Sequence, residues 1–164
     1  MTQEFVPLEG ACACGQIRYR LEAPPLFVHC CHCTWCQRET GSAFALNAMI
    51  ETSRVTRLSG EPHPVPTPSA SGRGQVISRC PNCQVALWST YPGAGPAILF
   101  VRVGTLRQPH LLPPDIHIFT STRLPWVAIP DTARAVPEFY TPKEIWPAES
   151  LARFRAARAA APGS

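Results

Sequence analysis

The stretch "HCCHCTWCQRETGS", residues 29–42, holds four of the chain's eight cysteines and two of its five histidines. Cys31 and Cys33 are separated by one residue, and Cys33 and Cys36 by two. Side chains two apart in an extended segment share a side, and a C-x2-C turn brings two sulfurs to one point, as in half of a tetrahedral zinc site. The stretch therefore predicts three thiols that converge on a metal, and zinc is the default for such a site.

The neighbours of these cysteines are sorted by the same alternation. His29 shares the parity of Cys31, so it is one candidate for a fourth ligand, and a water or a substrate is the other. Cys30 and His32 point to the opposite side if the strand is regular, which makes Cys30 a small buried apolar residue. His29 and His32 are also candidates for a general base by proximity, although no general base can be assigned.

A second cluster is indicated by the other cysteines, which form one C-x-C pair and one C-x2-C pair: Cys12, Cys14, Cys80 and Cys83. Together they predict a closed four-thiolate site that ties the N-terminal segment to the middle of the chain. Disulfides are the alternative, but nothing in the sequence selects one pairing of eight cysteines. We therefore expect two zinc ions per chain. Arg38 and Arg79 each lie close in sequence to one cluster, either as counter-charges for thiolates or as solvated surface arginines.

Composition limits the class of protein. The 164 residues include 19 prolines and only 16% are charged, which favours a loop-rich fold of short elements over a helical bundle. The net charge of +4 comes without a block of Lys and Arg, so charge gives no support to a nucleic-acid groove. The first residues, MTQEFVPLEGACACG, have no features of a secretory signal, and apolar runs such as AILFVRV are too short to span a bilayer. We therefore expect a cytoplasmic protein without a membrane partner, and the sequence does not indicate an oligomeric state.

Alternating and apolar runs predict a series of short strands. Eight segments fit this pattern: residues 16–22, 26–32, 42–51, 54–60, 75–80, 85–91, 97–104 and 115–121. Residues 34–41 are expected to form a short helical turn that ends at Gly41. Residues 59–74, rich in proline, serine and glycine, are expected to form a loop. The sequence therefore predicts a mainly β fold.

The C-terminal part has a different pattern. A capping box with proline at the first helical position is suggested by Thr141, Pro142 and Glu144. Leu151 and Phe154 lie on one side of an Arg- and Ala-rich stretch, as expected of a short surface helix held by two apolar residues. We therefore divide the chain into a zinc-binding β domain, residues 1–140, and a C-terminal helical segment with its tail, residues 141–164.

The cysteine motifs resemble those of the glutathione-dependent formaldehyde-activating enzyme family, which also contains centromere protein V. "GACACGQIRYR" is similar to the family's opening motif, "CHCTWCQRETGSAF" to its central motif, and "CPNC" to its later cysteine pair. "VRVGTL", "HIFTSTRLPW" and "IPD" fall where the family has a Gly-Thr-Leu strand, an aromatic-bearing strand and a tryptophan. The resemblance runs from Gly10 to Asp131, which is most of the chain.

This resemblance implies several coiled antiparallel β-sheets, of the β-tent type, organised around two zinc sites. The structural ligands that it implies are Cys12, Cys14, Cys80 and Cys83. The ligands of a catalytic-type zinc that it implies are Cys31, Cys33 and Cys36. The family's activity joins glutathione and formaldehyde into S-hydroxymethylglutathione. The expected function is therefore a zinc-dependent carbon–sulfur lyase-type enzyme, whose partners are a small thiol such as glutathione and an aldehyde.

The ligand count at the second cluster separates this function from its rivals. An electron-rich zinc with three thiolates and an open position suits binding a thiol as thiolate better than generating hydroxide. The alternative is a non-catalytic zinc-binding interaction module, which closure of the site by His29 would favour. A scavenger that binds thiol or aldehyde without turnover is a third possibility.

Three positions depart from the family pattern. Arg79 and Gln84 flank the later cysteine pair, where the family commonly has an aromatic residue and a glycine. Arg107 follows Gly-Thr-Leu, where the family tends to have aspartate. We expect the fold to tolerate these residues. We also expect them to alter the rim of the pocket, so that a thiol other than glutathione becomes a candidate substrate.

Overall fold

A computed structural model describes residues 5–161 of the chain, and within that range the fold is mainly β, as predicted. The strands of the smaller sheet, in spatial order, are β1 (Leu8–Ala11), β2 (Arg18–Leu21) and β5 (Val55–Ser59). The strands of the larger sheet, in spatial order, are β10 (Ile116–Ile118), β3 (Phe27–Cys31), β4 (Ala45–Glu51), β9 (Ile98–Arg102), β8 (Ala86–Thr90), β7 (Gln75–Arg79) and β6 (His63–Thr67). Neighbouring strands pair antiparallel, except that β10 runs parallel to β3. This exception departs from the all-antiparallel expectation.

Strand β6 lies inside residues 59–74, so the prediction of a loop across that whole range is wrong. Pro64 and Pro66 alternate along β6, and the strand pairs only with β7, at the edge of the larger sheet. A proline has no N–H, and an edge strand needs donors on only one side, so alternate positions there tolerate proline. The prolines therefore mark a sheet edge here and not a loop.

Strand β1 was not expected from the sequence, and it explains the glycine that opens the first cysteine motif. Gly10 lies opposite Tyr19 on β2, and a Cβ at Gly10 would fall 2.3 Å from Cζ of that ring. The ring is buried, and its hydroxyl hydrogen-bonds to Thr105 Oγ1 at 2.6 Å. Only a glycine leaves room for this ring, which packs edge-on against Trp88.

The larger sheet separates two apolar cores, because alternate side chains of its strands face opposite ways. On β4, Ala48 and Ile50 pack in the first core, together with residues of the smaller sheet. Met49, between them, packs in the second core with Phe27 of β3 and Trp146 from the C-terminal part. The second core therefore joins the face of the sheet that carries Cys31 to the end of the chain.

The C-terminal part forms two helices, α2 (Pro142–Ile145) and α3 (Ala148–Ala160), separated by Trp146 and Pro147. Thr141 precedes α2, but its side chain makes no capping hydrogen bond, so the capping-box prediction is wrong. Pro147 has no N–H to donate to the preceding turn, so α2 cannot continue through it and a second helix begins after it. The part of α3 that packs on the second core includes Leu151 and Phe154, as predicted.

The boundary at residue 141 stays a prediction. Within residues 5–161, none of the helices has the length and apolar composition needed to cross a membrane.

Candidate metal centres

The first centre is the four-thiol cluster, defined by Cys12, Cys14, Cys80 and Cys83, whose sulfurs all lie within 4.8 Å of one another. The sulfur of Cys14 is 3.5 Å from that of Cys12 and 3.7 Å from that of Cys80. The Cys12–Cys14 segment is a turn and not an extended strand, since the N–H of Gly15 donates to the carbonyl of Cys12. The sulfurs of Cys12 and Cys14 are therefore brought together by a turn and not by the alternation of an extended strand.

Backbone N–H groups favour the thiolate form in the four-thiol cluster. The backbone N–H of Gln16 is the main cause that lowers the pKa of Cys14 to about 6. A hydrogen bond from the backbone of Val85 lowers the pKa of Cys83, whereas burial raises the pKa of Cys80 to about 11. Thiolates are the form that binds a metal, so the two turns supply donors suited to a closed site.

The second centre is the three-thiol cluster, defined by Cys31, Cys33 and Cys36, whose sulfurs also lie within 4.8 Å of one another. Cys31 ends β3, and Cys33 caps the N-terminus of helix α1 (Thr34–Thr40). The sulfur of Cys33 accepts from the N–H of Cys36 at 3.4 Å. The cap places Cys36 in the first helical turn, on the same side as the end of the strand.

The bend between β3 and α1 is fixed by hydrogen bonds to one backbone carbonyl. The carbonyl of His32 accepts from Gln37 Nε2 at 2.8 Å and from Thr122 Oγ1 at 3.0 Å. The N–H of His32 donates to the carbonyl of Ile118 on β10 at 3.0 Å. The cluster is therefore set by tertiary contacts as well as by the local spacing of its cysteines.

Hydrogen bonds among the three thiols divide their acidities. Hydrogen bonds from the Cys31 and Cys36 thiols lower the pKa of Cys33 to about 2. The same contact with Cys33, aided by burial, raises the pKa of Cys31 to about 12, and hydrogen bonds and burial raise the pKa of Cys36. One thiolate is thus held by two thiols. A divalent cation would replace those two protons, so the donor set fits zinc.

His29 is placed beside the three-thiol cluster but belongs to a different hydrogen-bond group. Its Nε2 lies 2.6 Å from the hydroxyl of Tyr140, and that hydroxyl accepts from Trp146 Nε1 at 2.6 Å. The hydroxyl hydrogen is then left to donate to His29 Nε2. Burial lowers the pKa of His29 to about 4, so the ring is neutral. Among residues 5–161, the donor atoms that converge in the three-thiol cluster are the sulfurs of the three cysteines, and His29 is not one of them.

A third cluster lies on the opposite face of β3, and the sequence reasoning missed it. Cys30, His32 and His117 bring their donor atoms within 4.8 Å of one another. Cys30 is buried as predicted, yet its sulfur is 3.6 Å from Nε2 of His32, so it is not surrounded by apolar groups alone. The alternation of "IHI" in β10 was the one signal for His117.

The geometry of the two histidines in this third cluster is that of a hydrogen bond. His32 Nε2 lies 2.9 Å from His117 Nδ1, and the ring centroids are 5.2 Å apart with a 24° angle between the planes. The two nitrogens lie on the straight line between the ring centroids, because the centroid distance equals the N···N distance plus roughly one ring radius on each side. Each nitrogen therefore points at the other. Two ligands of one metal would instead converge at an angle.

A charged network borders the three-thiol cluster. Glu39 of α1 accepts from Arg79 at 2.6 Å and from Arg102 at 3.0 Å, and Arg102 also donates to the side chain of Asn47. Arg79 thus reaches the α1 side and not the adjacent Cys80, while Arg38 is exposed. The sequence signal for this network was an arginine at the end of an apolar strand, "ILFVR".

The three-thiol cluster opens into a cavity of about 580 Å³. Its other walls come from the loop between β6 and β7, from Tyr91 and Phe100, and from the C-terminal residues Phe139, Trp146 and Phe154. His29, Glu39 and Arg102 line it as well. None of the three residues that depart from the family pattern lines this cavity, so the expectation that they alter its rim is wrong: Arg79, Gln84 and Arg107.

Comparison with known proteins agrees with the motifs. The profile of the family described as "Glutathione-dependent formaldehyde-activating enzyme" matches residues 7–122. The chain therefore belongs to this family, which confirms the resemblance. A Halomonas elongata protein, provisionally named a glutathione-dependent formaldehyde-activating enzyme, is 25% identical over 127 residues, which are 74% of this chain and 80% of that protein. A crystal structure of a Rhodobacter sphaeroides protein gives a TM-score of 0.46 at 19% identity, over 60% of this chain and 87% of that one.

Proposed function

We propose that the protein is a zinc-dependent carbon–sulfur lyase-type enzyme that acts on small thiol–aldehyde adducts such as S-hydroxymethylglutathione. The observation that carries the proposal is the three-thiol cluster, which opens into a cavity and has no fourth cysteine, histidine or carboxylate donor in its group among residues 5–161. Three protein ligands and one open position are the arrangement of catalytic zinc sites. Family membership supplies the thiol and the aldehyde as the substrate class.

The two clusters have different roles in this proposal. Zinc held by the four-thiol cluster would be structural, because four thiolates complete its coordination. Zinc held by the three-thiol cluster would supply a positive charge that keeps a substrate sulfur ionised at neutral pH. The eight cysteines form no disulfide, which suits the reducing cytoplasm that we propose as the compartment.

The protein's own groups position the reaction. The cysteines of the three-thiol cluster fix where the substrate sulfur lies, and the walls of the cavity exclude water from the adduct. In the synthetic direction the thiol sulfur forms a bond to the aldehyde carbon, and the thiol proton ends on the former carbonyl oxygen. In the reverse direction the carbon–sulfur bond breaks and the hydroxyl proton returns to sulfur. Holding both fragments in one cavity accelerates both directions, as any catalyst must.

Metal content and exchange kinetics test this function together. Elemental analysis of protein purified without chelator should approach two zinc ions per chain. NMR exchange spectroscopy on glutathione and formaldehyde at equilibrium should then show interconversion faster than the uncatalysed reaction, and Cys36→Ser should abolish the acceleration. A protein with both zinc ions bound that accelerates the reaction of no small thiol would contradict the enzyme and favour an interaction module.

A further inference from the structure

The cavity beside the three-thiol cluster is larger than its reacting groups require. It measures about 580 Å³, which lies in the range of roughly 300–1,000 Å³ that holds drug-sized ligands. Formaldehyde contributes a single carbon, so nearly all of this space must receive the remainder of the thiol. The shape of that remainder is therefore recognised by the walls that lie away from the cysteines.

Those walls contain several aromatic side chains, which include Tyr91, Phe100, Phe119, Phe139, Trp146 and Phe154. Several of the rings hold each other in place. Tyr91 meets Phe100 edge-on with centroids 4.7 Å apart, and Trp146 meets Phe154 edge-on at 5.5 Å. Aromatic faces and edges that are fixed in this way prefer an aromatic or apolar guest, which gains both buried area and ring–ring contact.

Two of these aromatic residues are placed at some cost to the fold. Phe119 has a φ of 55°, a left-handed conformation that bulky residues rarely adopt. Its backbone N–H is held by the carbonyl of Glu138 at 3.0 Å. Phe139 is 54% exposed, although it packs on Phe119 and on Tyr140. A cavity wall that contains a residue with a strained backbone and an aromatic ring exposed to solvent is typical of a ligand site.

Among the described residues, four charged side chains line the cavity, namely Glu39, Arg73, Arg102 and Arg158. Two polar atoms of lining residues, Arg102 Nε and Gln75 Oε1, are buried without a partner in the same part of the chain. Glu39 and Arg102 are paired with each other.

Arg73 and Arg158 also line the cavity; both are exposed, and neither forms an ion pair with a carboxylate among residues 5–161. The guanidinium of Arg158 lies over the Phe154 ring, 5.6 Å from its centroid. A guanidinium group is suited to receive one anionic group of a ligand. Glutathione brings two carboxylates, an ammonium and two amides, and each of these needs a partner once it leaves water.

We propose that the substrate of this cavity is the adduct of an aldehyde with a thiol that bears an aromatic ring and one anionic group. This inference rests on the proposed function for its reaction, in which the carbon–sulfur bond forms and the thiol proton moves to the carbonyl oxygen. The aromatic portion lies among Phe139, Trp146 and Phe154, and the anionic group lies near Arg73 and Arg158. Glutathione is then a poor substrate compared with such a thiol.

Binding tests the inference separately from turnover. Isothermal titration of the zinc-loaded protein is carried out with 4-(mercaptomethyl)benzoate, benzyl mercaptan and glutathione. Burial of one phenyl ring should make 4-(mercaptomethyl)benzoate bind at least about tenfold more tightly than glutathione. Loss of its carboxylate in benzyl mercaptan should weaken binding about fivefold or more. Glutathione that binds as tightly as 4-(mercaptomethyl)benzoate would overturn the inference.

Variants locate the two parts of the ligand. Phe139→Ala should weaken binding of both ring-bearing thiols about fivefold and weaken binding of glutathione less, because glutathione has no aromatic ring to place against it. Trp126→Ala is its matched control, because Trp126 is 73% exposed and does not line the cavity. Arg73→Gln or Arg158→Gln should remove the preference for 4-(mercaptomethyl)benzoate over benzyl mercaptan. If both arginine variants keep that preference, the anionic part of the assignment is wrong.

Exchange kinetics on the same thiols with formaldehyde keeps the two proposals apart. If glutathione is accelerated and the ring-bearing thiols bind and react no better, the function stands and this inference fails. If the ring-bearing thiol binds tightly through Phe139 but no thiol reacts, the ligand class stands and the enzyme proposal fails.

Discussion

The four-thiol and three-thiol clusters differ in the length of chain that separates their members. The four-thiol cluster joins two turns that are 66 residues apart, measured between Cys14 and Cys80. The three-thiol cluster is assembled within six consecutive residues, from Cys31 to Cys36. A metal that closes a long loop lowers the entropy of the unfolded chain, whereas a metal on a local turn changes it little. The first cluster is therefore expected to stabilise the fold, and the second can serve chemistry.

The largest effect is expected from Cys83→Ser. Zinc binding to structural thiolate sites contributes about 10 kcal/mol or more, which is comparable with the whole stability of a domain. The variant should lose one zinc ion and should be largely unfolded at 25 °C, as measured by circular dichroism and elemental analysis. Cys30→Ala is the control, because Cys30 is buried but belongs to neither thiol cluster. A folded Cys83→Ser protein with native stability would remove the structural role.

The next effect concerns the charged network around Glu39, which connects helix α1 with the residue before Cys80. Glu39 accepts from Arg79, which precedes Cys80, and from Arg102, whose side chain is only 11% exposed. Glu39→Gln leaves both guanidinium groups without a carboxylate and should lower the free energy of unfolding by about 2–3 kcal/mol. Denaturant titration measures the change. Glu61→Gln breaks an exposed pair with Arg57 and should change it by less than about 0.5 kcal/mol. Equal effects of the two variants would show that the Glu39 network contributes no more to stability than an exposed ion pair.

A smaller effect on stability is expected from Cys36→Ser, although it should abolish activity. The variant should lose the second zinc ion and lower the free energy of unfolding by only about 1–2 kcal/mol, because the local turn keeps its backbone hydrogen bonds. Elemental analysis, circular dichroism and exchange spectroscopy on one preparation give all three results. If Cys36→Ser unfolds as readily as Cys83→Ser, the division between a structural and a functional cluster is wrong.

The smallest effect concerns the turn that carries Cys80 and Cys83. Gln84 has a φ of 62° at the position where the family commonly has glycine. A left-handed conformation costs a non-glycine residue about 1–2 kcal/mol, and glycine offsets part of that gain through its flexible unfolded state. Gln84→Gly also loses the exposed hydrogen bond from Gln84 Nε2 to the Pro81 carbonyl, so it should raise the free energy of unfolding by only about 0.5 kcal/mol, as measured by denaturant titration. Gln84→Ala keeps the strain and loses the hydrogen bond to the Pro81 carbonyl, so it should not be stabilising.

The sequence by itself determined the two thiol clusters and most of the strands. Cysteine spacing has a short physical range, so C-x2-C turns group their sulfurs whatever surrounds them, and alternation identifies half-buried strands. The same local reasoning misread β6, because the prolines that usually mark a loop are also allowed at the edge of a sheet. Whether Pro64 lies at an edge depends on which strands pair, and no local pattern contains that information.

Tertiary structure alone decided the surroundings of the three-thiol cluster. Tyr140, which comes from more than 100 residues away in sequence, hydrogen-bonds with His29 and accepts from Trp146, and His29 lies outside the group of three thiols. Phe139 and Phe154 become walls of the cavity only because the C-terminal helices pack on the second core. Local spacing identifies pairs of thiols because each turn brings its own two sulfurs together, whereas the fold joins the two pairs of the four-thiol cluster across 66 residues. The shape and charge of a substrate cavity depend on long-range packing, which a single sequence does not display.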